Sequence, residues 1–119
     1  MDMITKNPPR LFKVGKEQKI NLQDMGEVYL APNEQVTFMT ETKQEYDVCR
    51  KEWGYYATPS VNDRLKRFGF KTALVKNKKG QIYIMVVEAD KLGAFKAYLQ
   101  EEDNHVLQWL DEIPLAATT

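Results

Sequence analysis

From residue 26 onward the hydrophobic positions recur with readable periods; before it they do not. Glu27-Val28-Tyr29-Leu30 predicts a short strand, stopped by Ala31-Pro32-Asn33. Gln35–Glu41 alternates, with Val36 and Phe38 on one side and Gln35 and Thr37 on the other, as a half-buried strand does. Pro32-Asn33-Glu34 is turn-forming, so these two strands predict a hairpin. A further strand is expected over Glu45–Lys51, with Tyr46 and Val48 opposite Asp47, Cys49 and Lys51. Val61, Leu65 and Phe68 then fall at i, i+4 and i+7, one stripe of a short helix. Ser60 stands as its cap with Asp63 three residues later, and Gly69 as its terminator. Lys71–Lys76 and Gln81–Glu88 read as strands joined by Asn77-Lys78-Lys79-Gly80. Ile82–Val87 is almost unbroken in its apolarity, which predicts a central strand covered on both faces. Asp90 is placed to cap a second helix whose Leu92, Phe95, Tyr98 and Leu99 share a face, with Asn104 ending it. Val106–Leu110 is the last expected strand.

The fold class implied is α+β, an antiparallel or mixed sheet with two helices. From residue 45 the order is β-α-β-β-α-β after a β-hairpin, the ferredoxin-like plan, with another α+β sheet as the alternative. Right-handed crossovers would place both helices on one face of the sheet. A single domain is expected over residues 26–112. Residues 1–25 are polar, carry Pro8-Pro9 and show no helical or strand period, so they read as a mobile or loosely docked tail. Residues 113–119 read as a frayed end.

Composition narrows the class without naming a function. The 119 residues are 43% hydrophobic, ordinary for a globular domain. Cys49 is the one cysteine, so no internal disulfide can form, and a reducing cytoplasm is the expected setting. No segment resembles a signal peptide, and none approaches the roughly 20 apolar residues of a membrane span. The net charge of zero hides an asymmetry. Ten Lys/Arg against four Asp/Glu give +6 over residues 43–79, and two against seven give −5 over 88–112. Two faces of opposite sign, or mutual neutralisation within the fold, would both follow from this. Nothing dense enough to indicate nucleic acid is present.

Familiar chemistry is absent from the pattern. There is no Gly-x-Gly-x-x-Gly and no phosphate loop. His105 and Cys49 are far apart in sequence, and no Cys/His cluster suggests zinc. Cys49 reads as a small packed hydrophobe, and His105 as a residue favoured after a helix end. The acidic run Glu101-Glu102-Asp103 reads as a solvated face. No cofactor or metal is implied.

One segment resists a bland reading. Between Arg50 and Arg64 lie Trp53, Gly54, Tyr55, Tyr56, Pro59, Ser60 and Asn62, where a strand hands over to a helix. Arg50 and Arg64 could grip a phosphate or carboxylate, Trp53, Tyr55 or Tyr56 could stack on a sugar or base, and the helix start at Ser60–Asp63 could receive an anion. Aromatics that merely close the edge of a core are the structural alternative.

The run from Tyr46 to Ser60, followed by Asn62, Arg64-Leu65 and Phe68-Gly69-Phe70, resembles a family of small bacterial proteins of unknown function. The resemblance covers about residues 26–112. It implies a bacterial, cytoplasmic protein in the setting of surface-sugar biosynthesis, and it carries over no catalytic residue.

The leading expectation is a non-enzymatic binding or accessory module. Its site would be Arg50, Trp53, Tyr55, Tyr56, Ser60, Asn62 and Arg64, and its ligand a sugar phosphate, a nucleotide or a partner protein. A small enzyme of sugar metabolism using Tyr55 or Tyr56 as acid–base, and a weak single-stranded nucleic-acid binder, are the alternatives. Oligomer formation stays open, since an edge strand such as 27–30 could pair with another subunit.

Overall fold

The structure, a computed structural model, describes residues 1–115. It is a mostly β, broadly α+β protein of antiparallel sheets with one substantial helix. No helix among the described residues is long and apolar enough to cross a membrane. The chain divides into two compact units: Met1–Thr37 with Asp47–Thr58, and Phe38–Tyr46 with the chain from Pro59 onward.

The first unit is built on a long ribbon. Strands β1 (Asp2–Val14) and β2 (Ile20–Tyr29) pair antiparallel from Asp2↔Tyr29 to Val14↔Ile20. The register shifts between Thr5↔Gly26 and Arg10↔Asp24, so residues 6–9 of β1 stand opposite Met25 alone. Pro8 and Pro9 lie in this gap; neither has an N–H to give a ladder, which is why the pairing is interrupted there. Asp24 spans the gap. Its carboxylate accepts from Lys6 Nζ at 2.6 Å, Arg10 Nε at 3.3 Å and the Gly26 N–H at 3.2 Å. The Lys6 ammonium and the Gly26 N–H hold the Asp24 carboxyl below the usual carboxylate range. Gly26 has φ 150°, and a Cβ there would lie 2.2 Å from the Ile4 carbonyl oxygen, so only glycine allows the strands this close.

Strands β3 (Gln35–Met39), β4 (Glu45–Lys51) and β5 (Gly54–Ala57) form a sheet in the order β3-β4-β5. The buried Asp47 accepts a hydrogen bond from Thr37 Oγ1, and its carbonyl accepts the Thr58 N–H at 3.0 Å. Arg50 donates its N–H to the Glu34 carbonyl at 3.0 Å and accepts the Asn33 N–H at 2.7 Å, which ties the turn after β2 to β4.

The second unit is organised by β6 (Phe70–Lys76), the middle strand of the antiparallel order β7-β6-β8, with β7 at Ile82–Glu88 and β8 at His105–Trp109. Ala73 and Val75 of β6 are fully buried. Trp109 is the cross-strand partner of Ala73 and therefore shares its face. There it meets Phe95 of helix α2 (Leu92–Glu101) edge to face, with ring centroids 5.8 Å apart, so α2 lies on that side of the sheet. After β8, the 3-10 turn Leu110–Glu112 brings Asp111 back to β6. The Asp111 side chain is 1% exposed; it accepts from Lys71 Nζ at 2.7 Å and the Thr72 N–H at 3.2 Å. Lys71 also reaches Glu112 at 3.0 Å and stands 4.8 Å from the Trp109 ring centroid. Burial pushes the Asp111 carboxyl up, but the Lys71 ammonium and the backbone N–H groups of Thr72 and Asp111 outweigh it and hold it below its ordinary range. Lys71 is raised, chiefly by Asp111. The basic middle and acidic end of the sequence thus meet in part inside this unit.

Strands over 35–39, 45–51, 70–76, 82–88 and 105–109 and the second helix stand where the hydrophobic pattern placed them, within a residue or two. Several expectations are corrected. Residues 1–25 are not a tail without period but most of the β1–β2 ribbon; both faces are largely exposed, so no alternation marks it. The hairpin expected between 27–30 and 35–41 does not form, because β2 pairs with β1 and β3 with β4. The ferredoxin-like sheet is not shown: β4 belongs to a different sheet from β6, β7 and β8. Ile82–Glu88 is an edge strand, not a central one, since β6 takes the middle. The first helix, α1, is one turn, Arg64–Arg67. Its start is delayed by a turn in which the Ser60 carbonyl accepts from both Asp63 and Leu65. The N-cap of α2 is Lys91 rather than Asp90, which lies in a leading 3-10 turn at Ala89–Lys91. Residues 26–112 are divided between two units. Of the expected frayed end, Ile113–Leu115 lie outside helix and strand, and residues 116–119 lie outside the described residues.

Gly26→Ala should disrupt the ribbon at the Ile4 contact and destabilise it by about 1–3 kcal/mol. The check is loss of the Ile4–Glu27 cross-strand NOEs while those between β6 and β7 persist. Asp111→Ala leaves the buried Thr72 N–H without its acceptor and should destabilise the second unit by about 1–3 kcal/mol. Because the Asp111 pKa is depressed, its contribution is present above the ordinary carboxylate range and lost as pH falls through the folded value. The melting-temperature gap between wild type and Asp111→Ala should therefore narrow in strong acid; a gap independent of pH would contradict this assignment.

Candidate functional site

The distinctive segment is itself a hairpin. β4 and β5 pair from Val48↔Ala57 to Lys51↔Gly54, leaving Glu52-Trp53 as a two-residue turn. Gly54 follows the turn with φ 150°, a left-handed value that favours glycine. The pairing register sorts the side chains onto two faces. Arg50 and Tyr55 are cross-strand partners on one; Cys49 and Tyr56 are partners on the other.

On the Arg50 face, the guanidinium lies 5.2 Å from the Tyr55 ring centroid and donates from Nη1 to the Gly54 carbonyl at 3.2 Å. Lys51 donates to Asn33 Oδ1 at 2.6 Å. Both cations are thus engaged with their own hairpin or its neighbour. On the Cys49 face, the thiol is buried and free, and Tyr56 stands beside it. The Trp53 ring stacks on Tyr56 with centroids 6.0 Å apart and planes 25° from parallel. Trp53 is 72% exposed, Tyr55 61% and Tyr56 45%. The three aromatics therefore do not close a core edge in the first unit; Trp53 and Tyr56 project from it as a ring platform, and Tyr55 stands on the opposite face with Arg50.

Arg50, Trp53, Tyr55 and Tyr56 belong to the first unit, and Ser60, Asn62 and Arg64 to the second. Within the second, Ser60 Oγ accepts the Arg64 N–H at 3.1 Å, Asn62 is exposed, and the Arg64 guanidinium lies 5.7 Å from the Phe68 ring centroid. A one-turn helix offers no set of aligned free N–H groups, so the anion seat expected at Ser60–Asp63 has no helical basis. Among the described residues no three His, Cys, Asp or Glu side chains are grouped as metal ligands.

Reading the segment as a strand-to-helix junction missed β5. The signal was present: Glu52-Trp53 followed by Gly54, between apolar-and-polar runs on either side, is compatible with a tight hairpin. Lys51 was also missed as the residue that fastens the hairpin to Asn33. Compared with protein families, curated proteins and solved structures, the chain matches none.

A Cβ at Gly54 would meet nothing within 4 Å, so a Gly54→Ala variant isolates the backbone strain. It should destabilise the hairpin by about 1–2 kcal/mol and shift the Trp53 emission as the turn re-forms. An unchanged melt and spectrum would show that the turn does not require the left-handed angle.

Proposed function

We propose that the chain is a non-enzymatic binding or accessory module whose first unit receives the ring of a small ligand on Trp53 and Tyr56. The observation that carries this reading is the exposed stack itself. A large indole at a hairpin tip, backed by a tyrosine and left open to solvent, gives up burial that the hydrophobic effect would otherwise favour. Such a surface suits the apolar face of a sugar or the π-face of a base, so the ring portion of a sugar phosphate or nucleotide is the class of ligand favoured. With Arg50 folded onto Tyr55 on the opposite face of the hairpin, ring stacking rather than phosphate gripping leads the recognition. The ferredoxin-like plan plays no part in it.

The test is a fluorescence titration of the full chain with a panel of sugar phosphates, sugar nucleotides and nucleotides, followed by NMR shift mapping. Binding should perturb Trp53 and Tyr56 before the half-buried Trp109. Trp53→Ala should weaken binding about 10–100-fold, the range expected for loss of one stacking ring, with little change in melting temperature. No response to any member of the panel, or equal binding by the variant, would sink the reading.

A further inference from the structure

The β7-β6-β8 sheet protects one of its edges and not the other. At the β8 edge, the register with β6 shifts between Leu74 and Val75, and His105 and Gln108 interrupt the apolar run. Bulges and polar interruptions of this kind are how natural edge strands avoid pairing with other chains. The β7 edge has neither. Its ladder to β6 runs from Phe70↔Glu88 to Lys76↔Ile82 without a shift, and Ile82-Tyr83-Ile84-Met85-Val86-Val87 holds no charge and no proline. Its outer half is bare: Ile82 is 59% exposed and Ile84 66%. Farther along, a groove of about 350 Å³ runs between Met85–Glu88 and the Lys91, Ala94, Phe95 and Tyr98 side of α2, lined mainly by apolar atoms. An unbroken apolar edge strand, paired on one side only, is a template for another strand.

We propose that β7 is a self-pairing edge, and that two copies of this chain join β7 to β7 antiparallel about a two-fold axis into one six-stranded sheet. Charge selects the second copy as the occupant. An antiparallel pair of identical strands is self-complementary, and for the sheet faces to remain continuous the register must keep like faces together. With Ile84 on the axis, Ile82 stands opposite Val86 of the partner subunit and Tyr83 opposite Met85 of the partner subunit. The same register carries the basic turn past the strand end. The chain reverses at Asn77–Gly80, so the register ends there, but the turn with Lys78 and Lys79 comes to lie beside the strand end that carries Glu88 of the partner subunit and Asp90 of the partner subunit, where Glu88 already pairs with Lys91 of its own chain at 3.2 Å. The basic turn at one end of β7 and the acidic residues at the other are thus brought together twice by one symmetry operation. The exposed Ile82 and Ile84, on the sheet face opposite Trp109, would form one apolar strip across the axis.

The proposal is independent of the ring platform, which lies in the other unit, and the experiment separates them. Sedimentation velocity on the full chain should show a concentration-dependent species of twice 13.9 kDa. Hydrogen exchange should show protection of β7 amides that rises with protein concentration. Ile84→Lys, which sets two like charges opposite each other at an already exposed position, should raise the dimer dissociation constant about tenfold or more while leaving the melt of the monomer intact. Lys78→Glu should weaken the dimer, and Lys78→Glu with Asp90→Lys should restore it; that rescue reads the approach of the two strand ends rather than folding. A chain that stays monomeric at every concentration overturns the proposal. So does a dimer indifferent to Ile84→Lys with unchanged β7 exchange, or growth into open polymers.

Discussion

The second unit rests on a carboxylate that has almost no water left to it. Asp111 is buried against β6, where it answers both the Lys71 ammonium and the Thr72 N–H. A lone carboxylate there would be costly, and a lone Thr72 N–H would be too; each removes the other's penalty. The clasp fixes more than itself. It holds the turn after β8 against β6, which keeps Trp109 beside Ala73 and gives Phe95 of α2 a ring to meet. Lys71 is shared between Asp111, Glu112 and the Trp109 ring, so one side chain links the sheet, the final turn and the aromatic contact to the helix. Thr72 Oγ1 is buried without a hydrogen-bond partner among the described residues, a small polar penalty carried by the same strand.

The first unit solves a different problem. A two-stranded ribbon is marginal in water, since it has no second layer to bury its side chains. Here the pairing is reinforced at its weakest point, the proline gap, where Asp24 draws Lys6, Arg10 and the Gly26 N–H onto one carboxylate. At the far end, Asn33 and Glu34 attach to Arg50, and Lys51 attaches to Asn33, so the chain leaving β2 is fastened to the hairpin that carries the ring platform. Stability and presentation are linked through β4: Cys49 faces inward, Arg50 is braced by Tyr55, and the turn beyond them holds Trp53 out in solvent.

Two surfaces therefore stand out, for opposite reasons. The Trp53–Tyr56 stack is exposed at a turn, where a ring can approach freely. The β7 edge is exposed along a strand, where the backbone itself offers the contacts. Exposed apolar side chains scattered singly would call for no explanation. These are ordered on regular structure, one by stacking and one by an uninterrupted ladder.

Much of the local structure was legible in the sequence. Period-2 alternation at Gln35–Met39, the stripe of Leu92, Phe95 and Leu99, and the Asn77–Gly80 turn each report a local preference, and each element forms there. The buried role of Cys49 was readable for the same reason. Periodicity failed where burial was not one-sided. The ribbon of residues 2–29 hides neither face, so its strands leave no alternation, and backbone pairing with the contacts of Asp24 holds them. The apolar run Ile82–Val87 is equally consistent with a covered strand and a bare edge; only the placement of β6 between β7 and β8 decides which. The odd chemistry of residues 50–64 was visible as composition, but the hairpin register set Arg50 and Trp53 on different faces and the division of the chain set Ser60, Asn62 and Arg64 in the other unit. Sequence by itself determined where β3, β4, β6, β7, β8, the Asn77–Gly80 turn and the second helix lie, because those follow from neighbouring residues. Which strands pair, which edge stays open and which aromatics meet were decided only by tertiary structure, because they depend on contacts between residues far apart in the chain, such as Lys71 and Asp111.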